Sequence, residues 1–518
     1  MTGGPWSAAA GPGDVARERR ARAVLWGFVA AVTVLRLAYL AAGVLDLSPD
    51  EAHYWEWSRR LDAAYYSKGP LIAYLIYGLT ATLGASAFSI RLGAILLSVA
   101  GALLLYRLGR EAFGDARVGL LAVVGLELTP LFWAGSLLMT IDSPFLVCWT
   151  LALLFLYRGA VGGVAGAWIL AGLAVGLGLL AKYTMLFVLP GIVVYLWCAP
   201  EARRRLRHPA SWVGAALALG LLVPVLVWNL RHGWVTARHV ASQGRGAGLG
   251  WEEPLAFLGS QVGVLTPVVA AILGWAAWRA LRDGLIGRRE PYRFLAAFAL
   301  PILAFYALLS VQGKIQANWP AAAYPPLALI AAGALLERRP ALGAAARRAQ
   351  TALLVGAGAV ALAVTALGHA TDLLGLPPGL DPTTRLKGWR ELGGAVAAAR
   401  GEMPAPERTF LLSDRYQVTS ELAFYVPDRP PAYNVNLGRR LNQYDFWEGP
   451  GARLGWDAIY VEDGVGRPLD TRVAAAFERI EGPSVLEVRR GGRVVRAFAI
   501  YRAYGFRGVA APSATPRY

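Results

Sequence analysis

"SPDEAHYWEWSRRLDAAYYSKGP", residues 48–70, decides how the rest of the chain is read. It holds four acidic side chains, four basic or protonatable ones and five aromatic rings. An apolar stretch at 24–45 runs directly into it, and a second apolar block follows at 70–84. Ser48, Pro49 and Glu51 spell a helix start, with serine as N-cap, proline at the first helical position and glutamate three residues after the cap. Asp50 then falls at the positive end of the helix dipole. Tyr54, Trp55 and Trp57 are expected to anchor this helix at the headgroup level of a bilayer.

Working outward, 56% of the 518 residues are hydrophobic, and they come in blocks. A bilayer span needs about 20 apolar residues. Candidate spans fall at 24–45, 88–106, 118–134, 143–157, 163–181, 183–199, 210–230, 255–278, 293–311, 318–336 and 349–368. The block at 70–84 is too short and is expected in the interface. The chain therefore reads as a mainly α, polytopic membrane protein with about 11 transmembrane helices.

The net charge of +17 is distributed along the connections. Alternate ones are basic: "RERRAR" (17–22), "RLGREAFGDAR" (107–117), "EARRRLRH" (201–208), "RALRDGLIGRRE" (279–290) and "ERRPALGAAARR" (337–348). This is the positive-inside pattern, and it accounts for the charge without nucleic acid as a partner. It places the N-terminus in the cytoplasm and the C-terminal region outside. The first span reads as a signal anchor. Cys148 and Cys198 fall in or at the end of spans and offer neither a disulfide framework nor a metal spacing. Gly172 and Gly176 stand four apart in an apolar helix, either as a packing contact or as coincidence in a glycine-rich composition; the sequence gives them no weight.

The hydropathy changes after about residue 369. "KGWRELGGAVAAAR" reads as an amphipathic helix, "RTFLLSD" as a buried strand leading into the helix "RYQVTSELAFYV", and "WDAIYVED" as another strand. "TRVAAAFERI" reads as a helix and "SVLEVRRGGRVVRAFAIYRAYGF" as a hairpin with a Gly-Gly turn. The expected organisation is a cytoplasmic tail (1–23), a polytopic transmembrane region (24–369) with an external loop at 46–87, and an extracytoplasmic α/β domain (370–518). Residues 1–20 of the tail and the last residues, "APSATPRY", read as unstructured.

Two readings of the opening stretch compete. In one, Asp50 and Glu51 only cap an interfacial helix. In the other, a carboxylate pair is held just above the bilayer, with Asp50 kept ionised and able to accept a hydroxyl proton as charge develops. Lys68 on the same loop offers a compact cation suited to phosphate. Carboxylate and cation together suit attack by a hydroxyl on a group linked to a lipid phosphate. Elsewhere, Asp142 in "MTIDSP" is a helix cap or a contact to acceptor or sugar. Lys182 snorkels or meets a phosphate. Lys314, Asn318 and Trp319 cluster before a span. Arg231, His232 and Arg245 lie on a long external loop, as a solvated face or a phosphate contact. His53 has no second histidine at ligand spacing, so no metal is read there.

"PDEAHYWEWSRRLDAAYYSKGPLIAYLI" resembles the first external loop of bacterial membrane glycosyltransferases related to protein O-mannosyltransferases, which are GT-C type enzymes and include the lipid A aminoarabinose transferase. "RLGAILLSVAGALLLYRLGREAFG" (91–114), "MTIDSPFLVCWTLALLFLY" (139–157), "KIQANWPAAAYPPL" (314–327), "SDRYQVTSELAFYV" and "NQYDFW" fit the same pattern in order. The resemblance implies a GT-C transmembrane catalytic domain. It also implies an inverting transfer from a polyprenyl-phosphate-linked sugar to a hydroxyl acceptor (lipid A, glycan or protein) on the outer face. Asp50 matches the catalytic base and Glu51 its acidic neighbour. Lys68, in "SKGP" where "SKPP" is commoner, matches the residue near the donor phosphate. Tyr65, Tyr66, Lys182, Lys314 and Asn318 are assigned to the donor, and Asp142, His53 and Arg231 to the acceptor or sugar. No cofactor is required, with a divalent cation left open. The location implied is the inner or plasma membrane, multi-pass. The competing classes are a lipid or glycan transporter or flippase, which would show internal repeats and broken helices with mid-membrane charges, and an assembly protein with an external sensing domain.

Overall fold

The computed structural model describes residues 12–243 and 250–509. The chain folds as two compact units: a helical unit of Met1–Leu40, Arg91–Leu230 and Gln243–Ala366, and a mixed unit of Ala41–Ile90, Arg231–Ser242 and Leu367–Tyr518.

The first nine helices are α1 (Pro12–Ala41), α2 (Pro49–Ser58), α3 (Leu71–Leu83), α4 (Ala87–Phe113), α5 (Ala116–Glu127), α6 (Pro130–Leu137), α7 (Asp142–Ala160), α8 (Ala165–Ala181) and α9 (Val188–Cys198). All eleven candidate spans are helical, but among the described residues seven helices are long and apolar enough to cross a bilayer, or up to nine if each bent pair counts as one span. The bends explain much of the difference from about eleven. The stretch 118–134 breaks between α5 and α6, which meet at 79°. Pro130 has no N–H to continue the ladder and disfavours helical geometry at Thr129, which lies in the β region with ψ 149°. The stretch 255–278 breaks at Thr266–Pro267, where the two arms meet at 113° and Thr266 has φ 70°. The stretches 163–181 and 183–199 give shorter apolar helices. The tail expected to be unstructured is instead helical from Pro12 onward.

Gly172 and Gly176 are a helix contact, contrary to the weight given them from sequence. A Cβ on Gly172 would lie 2.0 Å from the carbonyl oxygen of Gly214, and one on Gly176 would lie 2.6 Å from the Leu221 side chain. Both partners belong to the helix Pro209–Arg231. Missing side chains let the two backbones meet, which is how small residues glue helices where lipid offers no hydrophobic drive.

The mixed unit carries a five-stranded sheet in the order β2-β1-β3-β5-β4. The strands are β1 (Thr409–Ser413), β2 (Ala432–Asn434), β3 (Asp457–Asp463), β4 (Phe477–Arg490) and β5 (Arg493–Phe506). β1 pairs in parallel with β2 and β3, and β5 pairs antiparallel with β3 and β4. A strand flanked on both edges and covered on both faces reads as a continuous apolar run, and "TFLLS" is buried throughout. Gly491 and Gly492, with φ 54° and 77°, make the expected hairpin turn. The helix read across "TRVAAAFERI" ends at Ala475, because Phe477 turns into β4 and joins the core of Phe410, Tyr460 and Phe506. The short β2 had no sequence signal.

A methyl group at Gly172 has no space, whereas Gly220 on the facing helix has nothing within 4 Å of its Cβ position. Gly172→Ala should lower stability by about 1–3 kcal/mol through overpacking, and Gly220→Ala should leave it unchanged. Melting of the two variants in detergent checks this contrast.

Candidate active site

The site in the mixed unit is built on α2. The Ser48 hydroxyl accepts from the Glu51 backbone N–H at 3.3 Å, and the Ser48 N–H donates to Glu51 Oε2 at 2.9 Å, closing the capping box anticipated from sequence. Of the ten helix residues all are buried except Asp50. The two acids therefore part: Glu51, fully enclosed, secures the helix start, while Asp50 remains accessible and its Oδ1 accepts from the Tyr416 hydroxyl at 3.1 Å.

The aromatic residues of α2 do not form the membrane-facing belt expected of them. Tyr54, Trp55 and Trp57 are buried within the unit. Trp57 stacks on Tyr65 with centroids 4.3 Å apart, and Trp55 meets Phe424 edge-on at 5.0 Å. The cause is the helix Tyr416–Tyr425, which packs on α2 and offers an apolar surface within the protein. His53 is enclosed by Trp57, Tyr416 and Tyr444, and its Nδ1 lies 3.1 Å from Ser420 Oγ. Burial, with the Arg439 charge beside it, lowers the His53 pKa to about 3, so the ring is neutral. Tyr65 donates its hydroxyl to the carbonyls of Trp57 and Arg60. Tyr66 is buried, and its backbone N–H donates to Gln443 Oε1 at 2.6 Å. Paired backbone bonds between Tyr65 and Lys68, at 3.1 and 3.3 Å, pin the turn that carries the half-buried Lys68.

Four further residues of this unit bear on Asp50 and Lys68 and were not read from sequence. Burial, followed by the charge of Asp50 and the bond to it, raises the Tyr416 pKa and keeps the phenol a donor. The charges of Arg385 and Arg440 also act on Tyr416. His239 is lowered to about 3 by burial, then by Arg440 and Lys68. Arg440 thus lies near enough to act on both Tyr416 and His239. The matching stretch "SDRYQVTSELAFYV" held the one available signal, Tyr416 in its first turn.

In the helical unit Asp142 opens α7. Its Oδ1 accepts from Lys182 Nζ at 2.6 Å and its Oδ2 from Asn318 Nδ2 at 2.6 Å. Lys182 stands in extended backbone between α8 and the turn Tyr183–Phe187. The three candidates come together here, while Lys314 is exposed. Asp142 and Asn318 also border an otherwise mostly apolar cavity of about 280 Å³, lined by α4, α5, α6 and α7. Arg231 is exposed at the end of its helix, His232 lies 6.2 Å from the Phe446 ring, and Arg245 falls outside the described residues. Among the described residues no three His, Cys, Asp or Glu side chains group as metal ligands.

The fold defines the chain as a polytopic membrane protein of GT-C type. It superposes on the crystal structure of ArnT from Cupriavidus metallidurans bound to undecaprenyl phosphate, with a TM-score of 0.63 and 20% identity, over 92% of this chain and 97% of that one. Residues 67–228 match the family profile described as dolichyl-phosphate-mannose-protein mannosyltransferase. The chain is 32% identical to the lipid A galacturonosyltransferase RgtD of Rhizobium johnstonii, over 56% of this chain and 61% of that protein. It is 29% identical to the undecaprenyl phosphate-alpha-4-amino-4-deoxy-L-arabinose arabinosyl transferase of Pseudomonas aeruginosa, over 61% of each. The chain thus spans about three fifths of the length of the curated relatives it matches. The resemblance read from the external loop is borne out: the chain is similar to these proteins in sequence and in fold.

His53 titrates near pH 3 when folded and at an ordinary 6.5 when unfolded. Between those values the unfolded chain binds more protons, so stability rises with pH and is lost on acidification below about 6.5. The slope is at most about 1.4 kcal/mol per pH unit for each such histidine, and His239 adds a second. Melting temperature should fall from pH 7.5 to 5.5, and His53→Gln should about halve that dependence if each histidine contributes equally. A flat profile in the parent protein would contradict the enclosed, neutral imidazole.

Proposed function

We propose that the protein is an integral-membrane inverting glycosyltransferase that moves a sugar from a polyprenyl-phosphate carrier to a hydroxyl acceptor on the extracytoplasmic face. The observation that carries this reading is Asp50: the one accessible residue of a buried helix, bonded to Tyr416 and near cationic side chains. The printed names of the relatives support it, since they describe lipid A and undecaprenyl-phosphate sugar transferases, and the superposed structure holds undecaprenyl phosphate. The same findings favour transfer over transport.

In the proposed step the acceptor oxygen attacks the anomeric carbon and gives its proton to Asp50. The bond from that carbon to the phosphate oxygen breaks, and polyprenyl phosphate leaves with the electron pair. Lys68, with Arg440 and Arg385, stabilises the charge building on the phosphate. Tyr66 lines the donor side. Glu51 holds the helix start and His53 the packing behind it. In the helical unit, Lys182 and Asn318 hold Asp142 at the edge of that unit's own cavity. The acceptor is a lipid or glycan hydroxyl. Because side chains supply the positive charge, no metal is called for, and transfer should persist in a chelator.

Asp50→Asn keeps the shape and removes proton acceptance, so turnover should fall by about two orders of magnitude or more, with melting nearly unchanged. Tyr416→Phe should cost about tenfold, the worth of one hydrogen bond to a charged group. The assay is transfer in detergent micelles from a polyprenyl-phosphate sugar. Activity with a nucleotide sugar in membranes stripped of polyprenyl phosphate would overturn the donor assignment, and near-normal turnover of Asp50→Asn the base.

The proposed topology puts the N-terminus inside and the sheet outside. Val465→Cys, at an exposed position between β3 and β4, should react with an impermeant thiol reagent in intact cells. Both natural cysteines are buried. Labelling that appears only after cells are broken would reverse the orientation.

A further inference from the structure

At the end of α2 opposite Asp50 lies a pocket of the mixed unit, about 250 Å³ in volume. Four arginines line it, Arg59, Arg60, Arg429 and Arg453, with Glu56 and Tyr433. Its lining residues on this segment, Glu56, Arg59 and Arg60, stand six to ten residues beyond Asp50, roughly 9–15 Å along the helix direction at 1.5 Å rise, and neither Asp50 nor Lys68 lines it.

The charges there do not balance. Glu56 is the one acidic residue of the lining, and it is shared: Arg59 lies 2.7 Å and Arg60 3.7 Å from its oxygens. Arg429 donates to the Ala85 carbonyl at 2.9 Å, and Arg453 to the Tyr433 hydroxyl at 3.3 Å. Among the described residues neither Arg429 nor Arg453 forms an ion pair with a carboxylate. Each guanidinium carbon lies over an indole ring: Arg59 and Arg429 over Trp55, Arg60 over Trp447 and Arg453 over Trp456. Such contacts orient a cation but leave its charge in place. Like-charge crowding registers on Arg429, whose pKa is lowered by burial and then by Arg59. Asp428 and Arg429 also hold φ 62° and 47°, a conformation that costs non-glycine residues energy and persists only where the surroundings impose it.

We propose that this pocket binds a phosphoryl group, carried by an anionic lipid headgroup or free in solution. Planar guanidinium forks match phosphate oxygens two at a time, which accounts for arginine at all four positions. The inference does not rest on the transferase reading, because its readout is binding.

The test uses the full chain in detergent micelles at low ionic strength. Pyrophosphate is titrated calorimetrically, and melting is followed in micelles doped with phosphatidic acid or with phosphatidylcholine. Binding of either phosphate probe, weakened about tenfold (~1.4 kcal/mol) in both Arg429→Gln and Arg453→Gln, supports the site. A response to pyrophosphate alone assigns a soluble phosphate, and one to phosphatidic acid alone a lipid headgroup. Arg453→Gln keeps the test open if Arg429→Gln fails to fold, since Arg453 lies outside the strained turn. No response to either probe overturns the proposal. So does a response that both variants keep, or one that only Lys68→Ala removes, which would place the anion at the other cationic site.

Discussion

A ten-residue helix whose surroundings bury everything but one carboxylate is the constraint on which the loop, its aromatic residues and the candidate chemistry depend. A helix this short is not stable on its own. It forms because its first orphan N–H groups are answered by Ser48 and Glu51, and because its aromatic faces are taken up by the helix Tyr416–Tyr425 and by Tyr65. Burial of Trp55, Trp57 and Tyr54 contributes roughly 2–3 kcal/mol each by area. That is the scale needed to hold a charged loop in one conformation. Fixing the helix fixes Asp50, and it also fixes the arginines at the other end.

The same logic, a carboxylate as a tie, operates in the helical unit. Asp142 receives Lys182 from the break after α8 and Asn318 from the turn before the helix Tyr324–Arg338. Three segments distant in sequence meet on one side chain. Removing the carboxylate would leave a largely buried ammonium without its partner, the costly half of any buried ion pair. A structural tie and a substrate contact are compatible here because Asp142 and Asn318 also border the cavity.

What the sequence showed and what it hid divide along a physical line. Local signals were legible: the capping box at Ser48, the Gly-Gly hairpin, the buried run of β1, and the apolar blocks that all became helices. Properties that need a distant partner were not. Tyr54, Trp55 and Trp57 follow a loop at a span end, where a membrane belt is the local inference, and the helix some 360 residues later, with Tyr65, turns them inward. Arg385, Arg440 and His239 carry no motif, and their relevance is their position beside Tyr416 and Lys68. Gly172 and Gly176 were indistinguishable from composition until Gly214 and Leu221 stood opposite. The bends at Pro130 and Pro267 were visible as prolines, but hydropathy averages over a window and reads through them.

The chemistry proposed for Asp50 follows from the same placement. Asp50 stands at the helix start with its Oδ1 accepting from the Tyr416 hydroxyl, and a carboxylate has little intrinsic affinity for a proton at neutral pH. That makes it a weak base, so proton removal from a hydroxyl cannot supply most of the drive for transfer. The larger share falls on the leaving phosphate, whose departure needs charge stabilisation as its bond to the sugar lengthens. This is why cationic side chains belong near the carboxylate and why Lys68 sits on a turn pinned by paired backbone bonds. Asp50 then acts late, taking the proton once the acceptor oxygen has become acidic through bonding to the sugar. The enclosure of His53 as a neutral ring fits that division. An imidazole free to titrate near neutral pH would be the stronger base, and burial among three aromatic rings withholds it.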